Sequence, residues 1–178
     1  MFKALFRYTV NSMQKRYQYD VAYMHHIIDL DGMAFLKLML FQPIYSHSAN
    51  VPPGLIHAAK LRTVMRADCG ECTELLARMA LEQGLDPALI EQILTKDVAH
   101  LPEDIALVVN FTEHNLDKTI EADMYREQVL QTWGERGLIA LCYSLASTQV
   151  YPLLKNALGY SHHCQDIMLN RTTIRPLR

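Results

Sequence analysis

The chain has 178 residues, half of them apolar, with seventeen basic and nineteen acidic side chains and only seven glycines and seven prolines. That length suits one domain whose core needs no disulfide staples. The near balance of charge excludes the broad basic field that attracts nucleic acid or an anionic membrane, and the scarcity of Gly and Pro argues against a disordered chain.

Apolar residues recur at spacings of three and four almost throughout, and no run of Val, Ile, Thr and aromatic residues alternates long enough to predict a strand. The expected fold class is all-α, a single-domain bundle of about eight helices. The opening Met1-Phe-Lys-Ala-Leu-Phe-Arg-Tyr8 lacks the apolar run and small-residue cleavage site of a secretory signal. A first helix is predicted over Phe2 to Tyr19. A second is predicted from Asp20 to Phe41, bent near Asp31-Gly32 because glycine weakens a helix interior. Its apolar run 32–41 carries Lys37 and falls short of the roughly 20 residues of a membrane span, so a cytoplasmic protein without a membrane partner is expected. Phe35, Leu36, Leu38, Met39 and Leu40 cover most of the helix circumference, which points to a homo-oligomer. His25 and His26 point to different sides of this helix and cannot serve one site; one is expected in solvent and one at an interface.

Residues 42–53, with Pro43, Pro52 and Pro53, read as a linker. Next come a helix over Gly54 to Met65 and one N-capped by Asp68, which holds Cys69 and Cys72 and stops at Gly84. Asp86-Pro87 opens a helix that fades by Thr95, and Pro102-Glu-Asp104 opens another toward His114. Met124 to Trp133 and Leu138 to Leu158 complete the set, with Gly159 as the stop. Cys142 falls on an apolar face and reads as an inert core thiol. The tail, ending in Arg171-Thr-Thr-Ile-Arg-Pro-Leu-Arg178, has no period and is expected to wrap onto a neighbour or stay loose.

Cys69 and Cys72, in Arg66-Ala-Asp-Cys-Gly-Glu-Cys-Thr-Glu74, stand one helical turn apart and can close a disulfide. In a reducing compartment such a disulfide is transient. At a helix start, free N–H groups and the positive end of the dipole stabilise a thiolate, the earlier cysteine gaining more. Arg66 is expected to add to this effect, while Glu71 and Glu74 oppose it unless one of them accepts a proton. Three readings stand open: a redox pair, two soft ligands of a metal site, or an inert pair of small hydrophobes. His162, His163 and Cys164 are the residues that would complete a zinc site with the pair.

The segment Leu55-Ile-His-Ala-Ala-Lys-Leu-Arg-Thr-Val-Met-Arg-Ala-Asp-Cys-Gly-Glu-Cys72 is continued by Leu76-Ala-Arg-Met-Ala80 and Gly84-Leu-Asp-Pro-Ala-Leu-Ile-Glu91. In this order of parts it resembles the alkylhydroperoxidase D (AhpD)-like branch of the carboxymuconolactone decarboxylase family. Leu101-Pro-Glu-Asp-Ile-Ala106 and the helix from Leu138 to Gly159 sit where that family has its later helices. The resemblance implies an AhpD-like CxxC core over 52–160, with 1–51 as an N-terminal helical extension packed on it and 161–178 as a C-terminal tail.

It further implies a thiol-dependent hydroperoxide reductase or thiol–disulfide oxidoreductase of antioxidant defence. Such a protein takes a hydroperoxide as substrate and a thiol or lipoylated protein as reductant, needs no bound cofactor or metal, and assembles as a trimer or hexamer. By position Cys72 attacks the peroxide and Cys69 resolves the sulfenic acid, the opposite of the order that the dipole favours. The family's redox motif carries a glutamate twelve residues before its first cysteine and a histidine four residues after its second; here those positions hold His57 and Leu76. Leu76 cannot move a proton. If the two helices pack antiparallel, His57 is expected to face the cysteine turn as the base, with Glu71 or Glu74 supplying a carboxylate. The alternatives are a non-catalytic helical oligomer with a vestigial cysteine pair, or the zinc-binding structural site.

Overall fold

The computed structural model describes residues 2–161, 167–169 and 172–174. Among them the helices run α1 (Phe2–Tyr17), α2 (Ala22–Leu30), α3 (Gly32–Met39), a single turn α4 (Gln42–Tyr45), α5 (Pro53–Arg66), α6 (Gly70–Glu82), α7 (Pro87–Thr95), α8 (Glu103–Asp117), α9 (Ala122–Thr148) and α10 (Val150–Ala157). A 3-10 turn at Val98–His100 leads into α8, and a hairpin of β1 (Ile167–Leu169) and β2 (Thr172–Ile174) follows α10.

Local chemistry sets most boundaries. The bend expected at Asp31-Gly32 is a full break: Asp31 is extended, and its carboxylate accepts from the N–H groups of Met33 at 3.0 Å and Ala34 at 2.9 Å, capping α3. Asp86 caps α7 in the same way, accepting from Ala88 N–H at 2.8 Å, with Pro87 at the first helical position. Gly84 takes φ +87° past the end of α6, a conformation open to glycine because it lacks Cβ.

Two expectations need correction. The predicted helices at 124–133 and 138–158 meet in α9, which is kinked where Gly134 takes φ 68°, and the run then breaks again before α10. The joined run Ala122–Ala157 contains one window, of mean hydropathy 1.3, that is long and apolar enough to cross a membrane by length and composition; 44% of it is buried, and Ala140, Leu141 and Leu145 belong to the core. The tail is not without structure either. Ile167 pairs with Ile174 across the antiparallel hairpin, both side chains are buried, and the strands lie against α6 and α7. Each strand has three residues, too short for alternation to register in a sequence.

The core is organised around α5. Every side chain from Leu55 to Met65 is buried, against α6, α7, α8 and α9. That stretch contains Arg62, which is 0% exposed and is neutralised in place by Glu113 of α8, Nε to Oε1 at 2.7 Å. The guanidinium also donates to the carbonyls of Ile93 and Leu94 at the end of α7, at 3.2 and 2.9 Å, the Ile93 carbonyl accepting from Lys96 N–H as well. Lys96 reaches the other Glu113 oxygen at 3.1 Å. Burial by itself raises the Glu113 carboxyl; the Arg62 bond and charge, with Lys96, outweigh this and hold it below the ordinary carboxylate range.

A group with its folded pKa lowered contributes stability above its unfolded value, about 4.5, and loses that contribution as pH falls through the folded value. Glu113→Gln is therefore expected to destabilise the fold at pH 7 by about 3 kcal/mol or more, because Arg62 stays buried without its counter-ion. Urea unfolding between pH 7 and pH 3 checks this: the variant should also show a shallower acid loss than the parent.

Candidate functional site

The chain reverses between α5 and α6 in three residues. Ala67 N–H bonds to the Val64 carbonyl at 3.1 Å, Asp68 takes φ 53°, and Cys69 is extended with φ −118° before Gly70 starts α6. Asp68, in the left-handed region, lies one residue outside the cap, so the N-cap is Cys69 and not Asp68. The Cys69 carbonyl accepts from Thr73 N–H at 3.0 Å and from the Thr73 hydroxyl at 3.1 Å, which fixes the first turn. Cys72 is then the third residue of the helix. Its sulfur is joined to that of Cys69 in a disulfide with the Cα atoms 5.2 Å apart, and both cysteines are buried.

Three distant segments meet at this turn. Tyr19, in the connection between α1 and α2, places its hydroxyl 3.6 Å from Cys72 Sγ. Burial, first of all, pushes the Tyr19 phenol far above its ordinary range, so it is a neutral donor at any physiological pH. Lys155 of α10 has no exposed side-chain surface, and its ammonium lies 4.7 Å from the Tyr19 ring centre and 5.8 Å from that of Tyr23. It pairs with the Glu71 carboxylate, lies 3.7 Å from that of Asp20, and donates to the Asp20 carbonyl at 3.4 Å. Two carboxylates, a carbonyl and two aromatic faces together make a buried ammonium tolerable. A positive charge is thus held beside the phenol that contacts Cys72. Chemically, the arrangement can stabilise a Cys72 thiolate once the disulfide opens, by a hydrogen bond from the Tyr19 hydroxyl that the Lys155 contact helps to position.

Of the predicted site residues, the structure brings Cys69, Cys72 and Glu71 together. Glu74 sits one turn further along α6, paired with Arg78 at 3.3 Å, and with Glu71, Asp20 and Tyr19 it lines a polar hollow of about 240 Å³. His57 is elsewhere. It is buried near the start of α5 and hydrogen-bonded to the Gln83 side chain, with Nδ1 unpartnered. Burial, chiefly, lowers its pKa and keeps it neutral. Gln83 lies eleven residues past Cys72, ~16 Å along the helix axis. Antiparallel pairing sets the start of one helix against the end of the next, which is why His57 meets the far end of α6 rather than the cysteines. Arg66 is likewise engaged away from the thiols, with Asp117 and, at 3.7 Å, Glu113.

The remaining candidates separate in the same way. Leu76 lies beside Cys72 on the wall of an apolar cavity. Cys142 is exposed, not an inert core thiol, because α9 turns that side of its apolar face to solvent. His25 is half-buried and bonded to Asn11 at 3.0 Å, while His26 is exposed with its ring 5.7 Å from that of Tyr160. His162, His163 and Cys164 lie outside the described residues, and among those described no group of three or more His, Cys, Asp or Glu converges as a metal site.

Tyr19, Tyr23 and Lys155 were not singled out by sequence reasoning. The one readable signal was Lys155, a lone ammonium in the otherwise greasy Val150–Leu158 stretch. Comparison with known proteins adds no assignment: no family model matches the chain, and no curated protein or solved structure matches it significantly.

If Lys155 neutralises Glu71 and Asp20, Lys155→Met should cost about 1–3 kcal/mol, less than a fully buried pair because Glu71 retains partial exposure. Adding Glu71→Gln to that variant should recover part of the loss, a non-additivity that urea unfolding of the two single variants and the double variant measures directly.

Proposed function

We propose that the chain is a thiol-dependent hydroperoxide reductase that cycles between a Cys69/Cys72 dithiol and the corresponding disulfide, an AhpD-like activity in a reducing, cytoplasmic setting. The observation that carries this reading is the disulfide-bonded pair at the start of α6, with Cys72 Sγ 3.6 Å from a neutral phenol and on the wall of a cavity. Burial of both sulfurs favours a small oxidant over a protein in the oxidising half-reaction.

The proposed cycle balances as follows. The Cys72 thiolate attacks the terminal peroxide oxygen; the S–O bond forms, the O–O bond breaks, and the alkoxide leaves and is protonated by solvent. Tyr19 donates its hydrogen bond to the thiolate before attack and to the sulfenic oxygen after it, without giving up its proton. The Cys69 thiol then displaces that oxygen as water, closing the disulfide. A dithiol or lipoylated-protein reductant reopens it and becomes a disulfide itself. Glu71 has a positioning role here, holding Lys155 against the Tyr19 ring, and the proton relay of the resembled family has no counterpart in His57.

A homo-oligomer, trimer or hexamer, belongs to the same proposal and is supported by exposed Phe2, Leu5 and Tyr8 on α1 and by exposed Leu30, Met33 and Leu40 at the end of α2 and around α3. A second reading, a non-catalytic helical protein with an inert pair, draws on that same burial of the two sulfurs and predicts no reaction with peroxide.

With dithiothreitol as reductant, the parent should consume tert-butyl hydroperoxide catalytically, while Cys72→Ser should consume none. Cys69→Ser should stop at a sulfenic acid that dimedone traps. Peroxide loss no faster than in Cys72→Ser would end the enzymatic reading. In the reduced protein, Tyr19→Phe should move the Cys72 thiolate titration, followed at 240 nm, to higher pH by about one unit or more, the worth of one charge-assisted hydrogen bond.

A further inference from the structure

We infer that the apolar cavity against Cys72 is a binding site for a small neutral amphiphile, a body of about six to nine non-hydrogen atoms bearing one hydroxyl-like head. The cavity has a volume of about 150 Å³ and lies between α1, α2, α3, α6 and the end of α9 with α10. An engineered cavity of similar size admits benzene, which sets the scale of the body. Its wall is built largely from Val10, Met13, Phe35, Leu38, Leu75 and Met79. Four of the residues around the cavity, Met13, Met24, Met39 and Met79, are methionines that adapt to an irregular guest.

The head is specified by what the wall leaves unsatisfied. Tyr23 and Thr148 both line the cavity and both are buried, at 0% and 2% exposed; the Thr148 hydroxyl has no hydrogen-bond partner, and the Tyr23 hydroxyl has none beyond a weak interaction with the Tyr19 hydroxyl. A buried hydroxyl without a full partner is destabilising, so two beside one space describe a site whose hydrogen bonds a guest completes. The nearby Tyr19 hydroxyl is engaged with Cys72 Sγ. No carboxylate, ammonium or guanidinium is among the lining residues, so a charged guest loses its hydration without a counter-ion. A purely apolar guest leaves the two hydroxyls as they are. Neutral and singly polar is the chemistry that fits both facts.

The cavity is the one that Cys72 faces, but the inference does not depend on the redox reading, and the disulfide-bonded protein, which cannot react with peroxide, is the form in which to test it. 1-Hexanol titrated into that protein, followed by calorimetry and by methyl NMR, should bind saturably at one site and shift the methyls of Met13, Met24, Met39 and Met79. Hexanoate at pH 7 should bind at least ten-fold more weakly. Tyr23→Phe and Thr148→Val should each weaken 1-hexanol about three- to ten-fold, the range of one neutral hydrogen bond. Should Tyr23→Phe fail to fold, Thr148→Val decides alone, and Leu38→Trp, which fills the space, should abolish binding. Absence of saturable binding overturns the inference. So do shifts confined to methyls outside the cavity, hexanoate binding as well as hexanol, or an unchanged affinity in a folded Thr148→Val variant.

Discussion

The buried Arg62–Glu113 pair is the constraint on which the rest of the molecule depends. A guanidinium at the centre of a core is tolerable only where its donors find acceptors, and here Nε is met by Glu113 on α8 and Nη1 by the Ile93 and Leu94 carbonyls at the end of α7. One side chain on α5 therefore fixes the relative position of three helices. Four residues on, Arg66 pairs with Asp117 on α8 and locks the end of α5. The turn 67–69 starts from that fixed point, so the placement of the two cysteines is inherited from a charge pair that takes no part in their chemistry.

A second buried cation works at the other side of the turn. Lys155 sits in α10, at the far end of the chain from Tyr19 and Asp20, and it draws both to Glu71 at the start of α6. The N-terminal helices and the last helix thus share a wall of the cysteine site rather than decorating a finished core. This gives the first fifty residues a physical purpose: they supply the phenol at Cys72, the carboxylate of Asp20 and much of the apolar cavity.

Local signals were legible wherever a boundary is set by one or two residues. Asp86-Pro87, Gly84 and Gly159 marked real helix ends because caps and positive φ are properties of the residue itself, whereas Asp31 read as a bend and is a cap, and Asp68 read as a cap and lies one residue outside it. The join within α9 was not legible, since Gly134 reads equally as a stop or as a kink. The hairpin at 167–174 was missed because three-residue strands carry no period. Cys69, Cys72 and Glu71 lie together because they are neighbours in the chain. His57 lies apart from them, since the direction of α6 decides which end a residue of α5 meets. Tyr19 and Lys155 were not legible, because they reach the site only through packing across 53 and 84 residues.

The central claim is that Cys72, held at this turn, reacts with a peroxide and is resolved by Cys69. Peptide-level mass spectrometry of the reduced protein after one equivalent of tert-butyl hydroperoxide tests it most directly. The account predicts that the peptide containing both cysteines loses two hydrogens, about 2 Da, in the parent, while in Cys69→Ser the same peptide gains one oxygen at Cys72. Two unmodified thiols in the parent, or an oxygen added first at Cys69, would contradict it.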